Sequence, residues 1–266
     1  MSTVAVTGAS GQVGTLLRQR LAERGDEVRA LNRGEEWAPA IAGADAVVHL
    51  AGTLQPRRSE SYEEANLAPT ATVAAAVREA GVGRVVFLSY VGADAASANA
   101  YLRAKAAAER LLEGSGAPTT IFRCLHVYGP PEAPGPTAGA FLAKRGRPVL
   151  VLGSGRQAIE PLYIGDVVAA ILGALAPGAP SGTFELGGPE RMSFDQLVVA
   201  LNPPGTRLRH LPAALARPLA HLVPSLTPAL VDLLLADNVA ATPAAETAAR
   251  FGFTPHRLAE VWPRQA

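Results

Sequence analysis

Short apolar runs alternate with longer segments of helical spacing through the first half of the chain. The runs Thr3–Thr7, Glu27–Leu31, Asp45–Leu50, Arg84–Ser89 and Thr119–Arg123 predict strands. Between them, Gln12–Glu23, Ser61–Ala80 and Asn99–Glu113 predict helices, the second closed by Gly81 as a helix C-terminus should be. Near-continuous apolar strands that alternate with helices imply strands covered on both faces. The expected class is therefore α/β with a doubly wound parallel sheet.

The texture changes at the proline-rich loop Tyr128–Pro136. From Pro148 onward the elements are shorter, and after Pro203-Pro204 a Leu/Ala/Pro-rich stretch reads as a helical tail. The division expected is residues 1–147 as a nucleotide-binding domain. Residues 148–266 then form a smaller α/β part, packed on the first, partly interleaved with it and lying on the substrate side.

In "TVAVTGASGQVGTLL", Gly8, Gly11 and Gly14 stand three apart between the first strand and the first helix. A turn of this kind gathers backbone N–H groups and the positive helix end at one point, which suits a pyrophosphate. Gly8 permits the turn, Gly11 lets phosphate approach the backbone, and Gly14 lets helix and strand pack closely. Glycine triplets also serve ordinary turns, but the strand–turn–helix setting points to a dinucleotide. The residues expected to hold it are Gly8, Ser10, Gly11, Gln12, Val13 and Gly14. The second strand ends in Asn32-Arg33, where an acidic residue would take ribose hydroxyls and an arginine a 2′-phosphate. Asn32 and Arg33 favour NADP(H); Glu35 and Glu36 just beyond keep NAD(H) open.

Composition narrows the rest. The chain has 266 residues, 48% of them hydrophobic, with 24 basic and 23 acidic residues and a net charge of +1. That length allows one large domain with an appendage, and the balanced charge argues against nucleic acid or an anionic membrane surface as the main partner. A lone Cys124 excludes an internal disulfide framework, and the five histidines lack metal-site spacing, so no metal is expected. Leu211–Ala236 is too interrupted by proline and charge for a membrane span. With no leader-like start, a cytoplasmic location is expected.

These motifs resemble the short-chain dehydrogenase/reductase superfamily in its extended or atypical branch. "TGASGQVG" is similar to the extended glycine motif, and "DAVVHLAG" resembles the segment whose backbone, here Ala51 and Gly52, lines the cofactor. "EEANLAPTATVAAAVREAGVGRVVFLS" places Asn66 at the family's helix asparagine, and "YLRAK" fits its Y-x-x-x-K. The tail "LLLADNVAATPAAETAARFGFTPHRLAEV" is similar to a subgroup that includes the NAD(P)H-holding accessory subunit of respiratory complex I and its solitary bacterial relatives. The resemblance implies a Rossmann-type fold. It also implies a catalytic set of Ser89, Tyr101 and Lys105, supported by Asn66, with Lys105 also bonding the nicotinamide ribose. One departure stands out: only Gly34–Ala44 separates the second strand from "DAVVHLAG". Eleven residues cannot hold the helix, edge strand and acidic residue usual there. The edge strand is expected to be missing or vestigial, with Trp37 and Ile41 covering the edge.

Tyr101 and Lys105 are four apart on a helix, so they share a face. An ammonium beside a phenol lowers its pKa toward a range useful in acid–base work. Such a pair also arises by chance in many helices, and its place after the fourth strand is what favours a catalytic role. Among other candidates, Tyr90 reads as a packing aromatic, Cys124 and His49 as core residues, Arg57-Arg58 as a solvated loop, and Asp166 as the cap of the helix "DVVAAI". The expected activity is hydride transfer to or from a carbonyl or alcohol carbon of a small-molecule substrate. Epimerase or dehydratase chemistry with retained cofactor is a variant, and a non-catalytic redox sensor or accessory subunit is the alternative. A homodimer stays open.

Overall fold

The computed structural model describes residues 1–57, 59–144, 147–220, 222–223 and 226–263; Arg58 and His221 fall outside them. Strands β1 (Thr3–Thr7), β2 (Glu27–Leu31), β3 (Ala46–His49), β4 (Arg84–Tyr90), β5 (Thr119–Cys124) and β6 (Gly182–Leu186) form one sheet in the order β6-β5-β4-β3-β1-β2. Every pairing in it is parallel. The alternation along each strand decides what covers it. Val4, Val6, Val48, Val86 and Phe122 face helices α1 (Gln12–Glu23) and α4 (Ile164–Ala174), which contribute Leu17, Leu21, Val167 and Ile171. Ala5, Val47, Val85, Phe87 and Ile121 face α2 (Ala68–Ala80) and α3 (Ala100–Glu113). Burial of a Leu or Ile side chain of this kind contributes about 1.5–3 kcal/mol.

As the sequence led us to expect, the edge strand is absent. Between β2 and β3 the chain makes a single helical turn, Ala38–Ile41, and β2 forms the sheet edge. Ile41 is fully buried against Ala5 and Val47, while the Trp37 indole donates to Asn32 O at 2.9 Å and meets the His49 ring edge-on. Arg29 closes the turn by donating to Ala40 O and Ala42 O.

A second core gathers Val149, Val151, Ile159, Phe194, Leu197, Val231 and Leu234. β6 leaves this region and joins the main sheet beside β5. Helix α5 (Pro228–Leu235) buries Ala229, Val231, Leu233 and Leu234.

Three expectations need correction. The tail is not helical throughout, because Leu208–Leu211 is a strand paired with Val149–Leu152. Ser61–Ala80 is not one regular helix. Pro69 has no N–H to offer Ala65 O, and residues Glu63–Leu67 form a wider π-turn in which Ala68 N bonds Glu63 O. Asp166 does not cap α4, which starts at Ile164; within the first turn, its carboxylate accepts from the His256 backbone N–H and ring Nδ1, at 2.9 and 2.6 Å.

Candidate active site

The strand order reverses between β1 and β3, and the glycine turn sits there. Gly8 has φ +64°, and a Cβ on it would lie 2.8 Å from the Leu50 carbonyl carbon. A Cβ on Gly14 would run into the Gly8 carbonyl and the Ala9 backbone. α1 begins after Gly11 with no side-chain cap and no acidic residue in its first turn, so its N–H groups face outward for an anion. Behind the turn, Thr7 Oγ1 accepts from the N–H groups of Leu50 and Ala51 at 3.1 Å and therefore donates to His49 Nδ1 at 2.7 Å. His49 Nε2–H then donates to Thr70 Oγ1 at 2.9 Å, and that hydroxyl donates to Asn66 O. This buried chain fixes the tautomer of His49 and clamps β1, β3 and α2 together.

Two cavities meet at Leu50 and Gly52. The first, about 560 Å³, runs along Gly8, Ser10, Gly11, Ala51 and Gly52 to Asn32 and Arg33. Its far end also carries Glu35, Glu60 and Glu64. Arg33 pairs with Glu60 at 3.4 Å. The Glu35 carboxylate accepts from the Asn32 backbone and side chain, and those bonds hold its pKa down. The second cavity, about 260 Å³, brings together Gln12, Val13, Ser89, Tyr101 and Lys105. Gly14 and Asn66 line neither cavity. Gly14 packs against Gly8, and Asn66 uses its side chain to hold the loop after β3, accepting from Thr53 N and donating to Thr53 O and Tyr62 O.

Ser89, at the end of β4, is buried with its hydroxyl unpartnered. A buried polar group left in that state costs about 1–3 kcal/mol. Lys105 donates to Leu88 O at 2.6 Å and stands over the Phe87 ring. Burial lowers its pKa to about 8, against the pull of Cys124 and Glu109. Tyr101 differs from expectation. Its phenol is not lowered: burial pushes its pKa well up, and Cys124 and Tyr62 add to that, whereas the lysine is turned to Leu88 O.

Tyr90 is more than a packing aromatic. His126 Nδ1 accepts from its hydroxyl at 3.1 Å, and Asn238 Nδ2 donates to it at 3.0 Å. Asn238 Oδ1 in turn accepts from His126 N at 2.7 Å. Burial lowers the His126 pKa to about 4 and raises that of Cys124 to about 12, so the imidazole and the thiol are both neutral near pH 7. The Cys124 thiol points to Phe122 O and His126 to Tyr90. Tyr128 and Asn238 escaped sequence reasoning; Tyr128 was visible only as part of "VYGP", and Asn238 is 148 residues from Tyr90. Among the described residues there is no His/Cys/Asp/Glu cluster that would hold a metal, and no helix is long and apolar enough to cross a membrane.

The sequence profile of the NAD dependent epimerase/dehydratase family matches residues 4–187. The chain belongs to this family. That places it in the extended branch of the short-chain dehydrogenase/reductase superfamily, as the motifs implied. A family relative is the Arabidopsis thaliana NADH dehydrogenase [ubiquinone] 1 alpha subcomplex subunit 9, mitochondrial. It is 31% identical over 222 residues, 72% of this chain and 55% of that one. Another is the 2-alkyl-3-oxoalkanoate reductase of Stenotrophomonas maltophilia, 32% identical over 66% of this chain and 67% of that one. The chain thus spans roughly half to two thirds of these curated relatives. Among solved structures, MoeE5 in complex with UDP-glucuronic acid and NAD superposes with a TM-score of 0.73 at 21% identity, covering 99% of this chain and 97% of that one. At that identity the likeness establishes the shared fold.

Proposed function

We propose that this family member is an NADP(H)-dependent oxidoreductase that moves hydride to or from a carbonyl or alcohol carbon, with Tyr101 as general acid/base. The observation that carries the reading is one cleft. The Gly8–Gly11 turn opens into it at one end, and Ser89, Tyr101 and Lys105 line it at the other. The residues fit a dinucleotide: Gly8 and Gly14 stand where a Cβ would strike backbone, and the uncapped start of α1 suits the pyrophosphate. Arg33 would meet an adenosine 2′-phosphate by releasing Glu60, and Lys105 would hold the nicotinamide ribose. When bound, the reduced nicotinamide supplies the hydride.

Ser89 would donate its unpartnered hydroxyl to the substrate oxygen, orienting the carbonyl. Tyr101 would deliver the proton as charge grows on that oxygen. Burial keeps the Tyr101 phenol protonated but makes it a weaker acid, so proton delivery calls for Lys105 to turn from Leu88 O toward the phenol. Carbonyl compound, NADPH and a proton then give alcohol and NADP⁺. The reductase among the relatives supports this direction. In this reading Asn66 supports the site at one remove, through Thr53 and Tyr62.

A second reading has one observation in its favour. Tyr101 packs beneath Ala229 and Leu233 of α5, so a protein that holds the nucleotide without turnover, as an accessory subunit or redox sensor, would look similar. In that second reading, the three carboxylates at the Arg33 end would take the ribose hydroxyls of NAD(H) in place of NADP(H). Fluorescence titration with NADPH and NADH, repeated in Arg33→Ala, separates the cofactors: a selective loss of NADPH affinity is expected. Turnover of a carbonyl panel is expected to fall about 10²–10⁴-fold in Tyr101→Phe while nucleotide affinity stays. Nucleotide binding without any turnover would favour the second reading.

A further inference from the structure

At the end away from Tyr101, the dinucleotide cleft runs past Arg33, Glu60 and Glu64. A smaller pocket of about 340 Å³ shares those three residues and adds Arg57 and Ser59. The two arginines reach it from opposite sides. Arg33 follows β2 and Arg57 lies in the loop after β3, and these strands flank β1 in the sheet. Spacing alone makes Arg57 a solvated loop residue; the fold sets it on the wall of the pocket that holds Arg33.

The loop that carries Arg57 is shaped by its own bonds. Glu60 N donates to Arg57 O at 2.9 Å, closing a turn with Ser59 inside it. Ser61 N donates to the Glu64 carboxylate at 2.7 Å, and Glu64 N donates back to Ser61 Oγ at 3.1 Å. The three carboxylates of this end therefore differ in what they do. Glu64 is committed to Ser61 and Glu35 to Asn32, whereas Glu60 is paired with Arg33. Arg57 has no ion-pair partner among the described residues.

The Arg33–Glu60 pair joins the loop after β2 to the loop after β3, with the Arg33 side chain 64% exposed and that of Glu60 20% exposed. An ion pair this open to water is weak and exchanges readily. A phosphate monoester carries about −1.5 to −2 charges near pH 7, and its oxygens match the fork of a guanidinium. It is the stronger partner for Arg33, and the pair opens as it arrives. A ribose 2′-hydroxyl carries no charge and leaves the pair closed.

We propose that Arg57 joins Arg33 as the second cation of a subsite for the adenosine 2′-phosphate, and that Glu60 is the built-in competitor for that subsite. Arg57 adds to the preference for NADP(H), and Glu60 limits it. This inference rests on the NADP(H) reading and deepens it.

Calorimetric titration of the whole chain with adenosine 2′,5′-bisphosphate, NADPH and NADH tests the assignment. Arg57→Ala is expected to weaken the bisphosphate and NADPH about fivefold while NADH stays within about twofold. Glu60→Gln is expected to strengthen the same two ligands about three- to fivefold, again with NADH unchanged. In an Arg33→Ala background the gain from Glu60→Gln should vanish, because nothing is left to compete for. Bisphosphate affinity unmoved by Arg57→Ala would overturn the proposal. So would NADH binding weakened by Glu60→Gln, which would make that carboxylate a ribose ligand, or a gain that survives Arg33→Ala. The NADP(H) reading fails by a different result, an Arg33→Ala chain that binds NADPH as tightly as the parent.

Discussion

Two enclosed imidazoles make the fold acid-labile in a way that can be measured. His49 is enclosed between Thr7 and Thr70, and burial, with some repulsion from Lys105, lowers its pKa to about 3. His126 sits between Tyr90 and the Leu233 backbone, and burial lowers its pKa to about 4 despite that backbone bond. In the unfolded chain each takes up a proton near pH 6.5. Below that point the unfolded state binds more protons than the native state, so stability falls as pH falls, down to the native values. At pH 5 each imidazole is about 1.5 pK units below its unfolded midpoint, which amounts to about 2 kcal/mol per residue and roughly 4 kcal/mol for the pair. That is a large share of the 5–15 kcal/mol typical of a folded protein. Urea unfolding at pH 7.5 and pH 5.0, followed by tryptophan fluorescence, gives the pH-dependent loss directly. His49→Gln and His126→Gln should each remove about 2 kcal/mol of that loss, whatever they do to stability at pH 7.5. A loss unchanged from the parent protein would refute the assignment of these imidazoles as buried and neutral.

Other substitutions probe the rest of the site. Gly14→Val drives a side chain into the Gly8 carbonyl, so dinucleotide affinity should drop at least a hundredfold in a titration of the soluble protein. Asn238→Ala strands the His126 N–H and removes a donor from the Tyr90 hydroxyl; a loss of roughly 2–5 kcal/mol is expected, read as a fall in Tm by calorimetry.

Much of this was legible in the sequence because its causes are local. Strand and helix periods, the glycine turn and the short Gly34–Ala44 link depend on neighbours within a few residues, and they led to the parallel sheet, the strand–turn–helix start and the missing edge strand. The site was half legible. Ser89, Tyr101 and Lys105 do line one cavity, yet their electrostatics were misjudged, because burial and the Leu88 carbonyl outweigh the lysine–phenol attraction that spacing alone suggests. Asn66 carried a recognisable motif, but its amide works on Thr53 and Tyr62, a fact set by the π-turn. The contacts behind the site were illegible. Asn238 meets Tyr90 and His126, and Ala229 and Leu233 pack on Tyr90 and Tyr101, across more than a hundred residues, and no period or spacing encodes such a meeting.

The missing edge strand also bears on time. With β2 at the sheet margin and one helical turn beyond it, the far end of the nucleotide cleft is walled by Trp37, Glu35 and the Arg33–Glu60 pair rather than by another strand. A dinucleotide held there would meet no strand beyond β2 at its adenosine end, and the expected consequence is a shorter residence time. An epimerase returns the hydride to the molecule that gave it and gains from a cofactor that stays. A reductase must exchange a spent cofactor for a fresh one at every turnover. Under the proposed oxidoreductase reading, a cleft with no further strand at its adenosine end would suit the second regime.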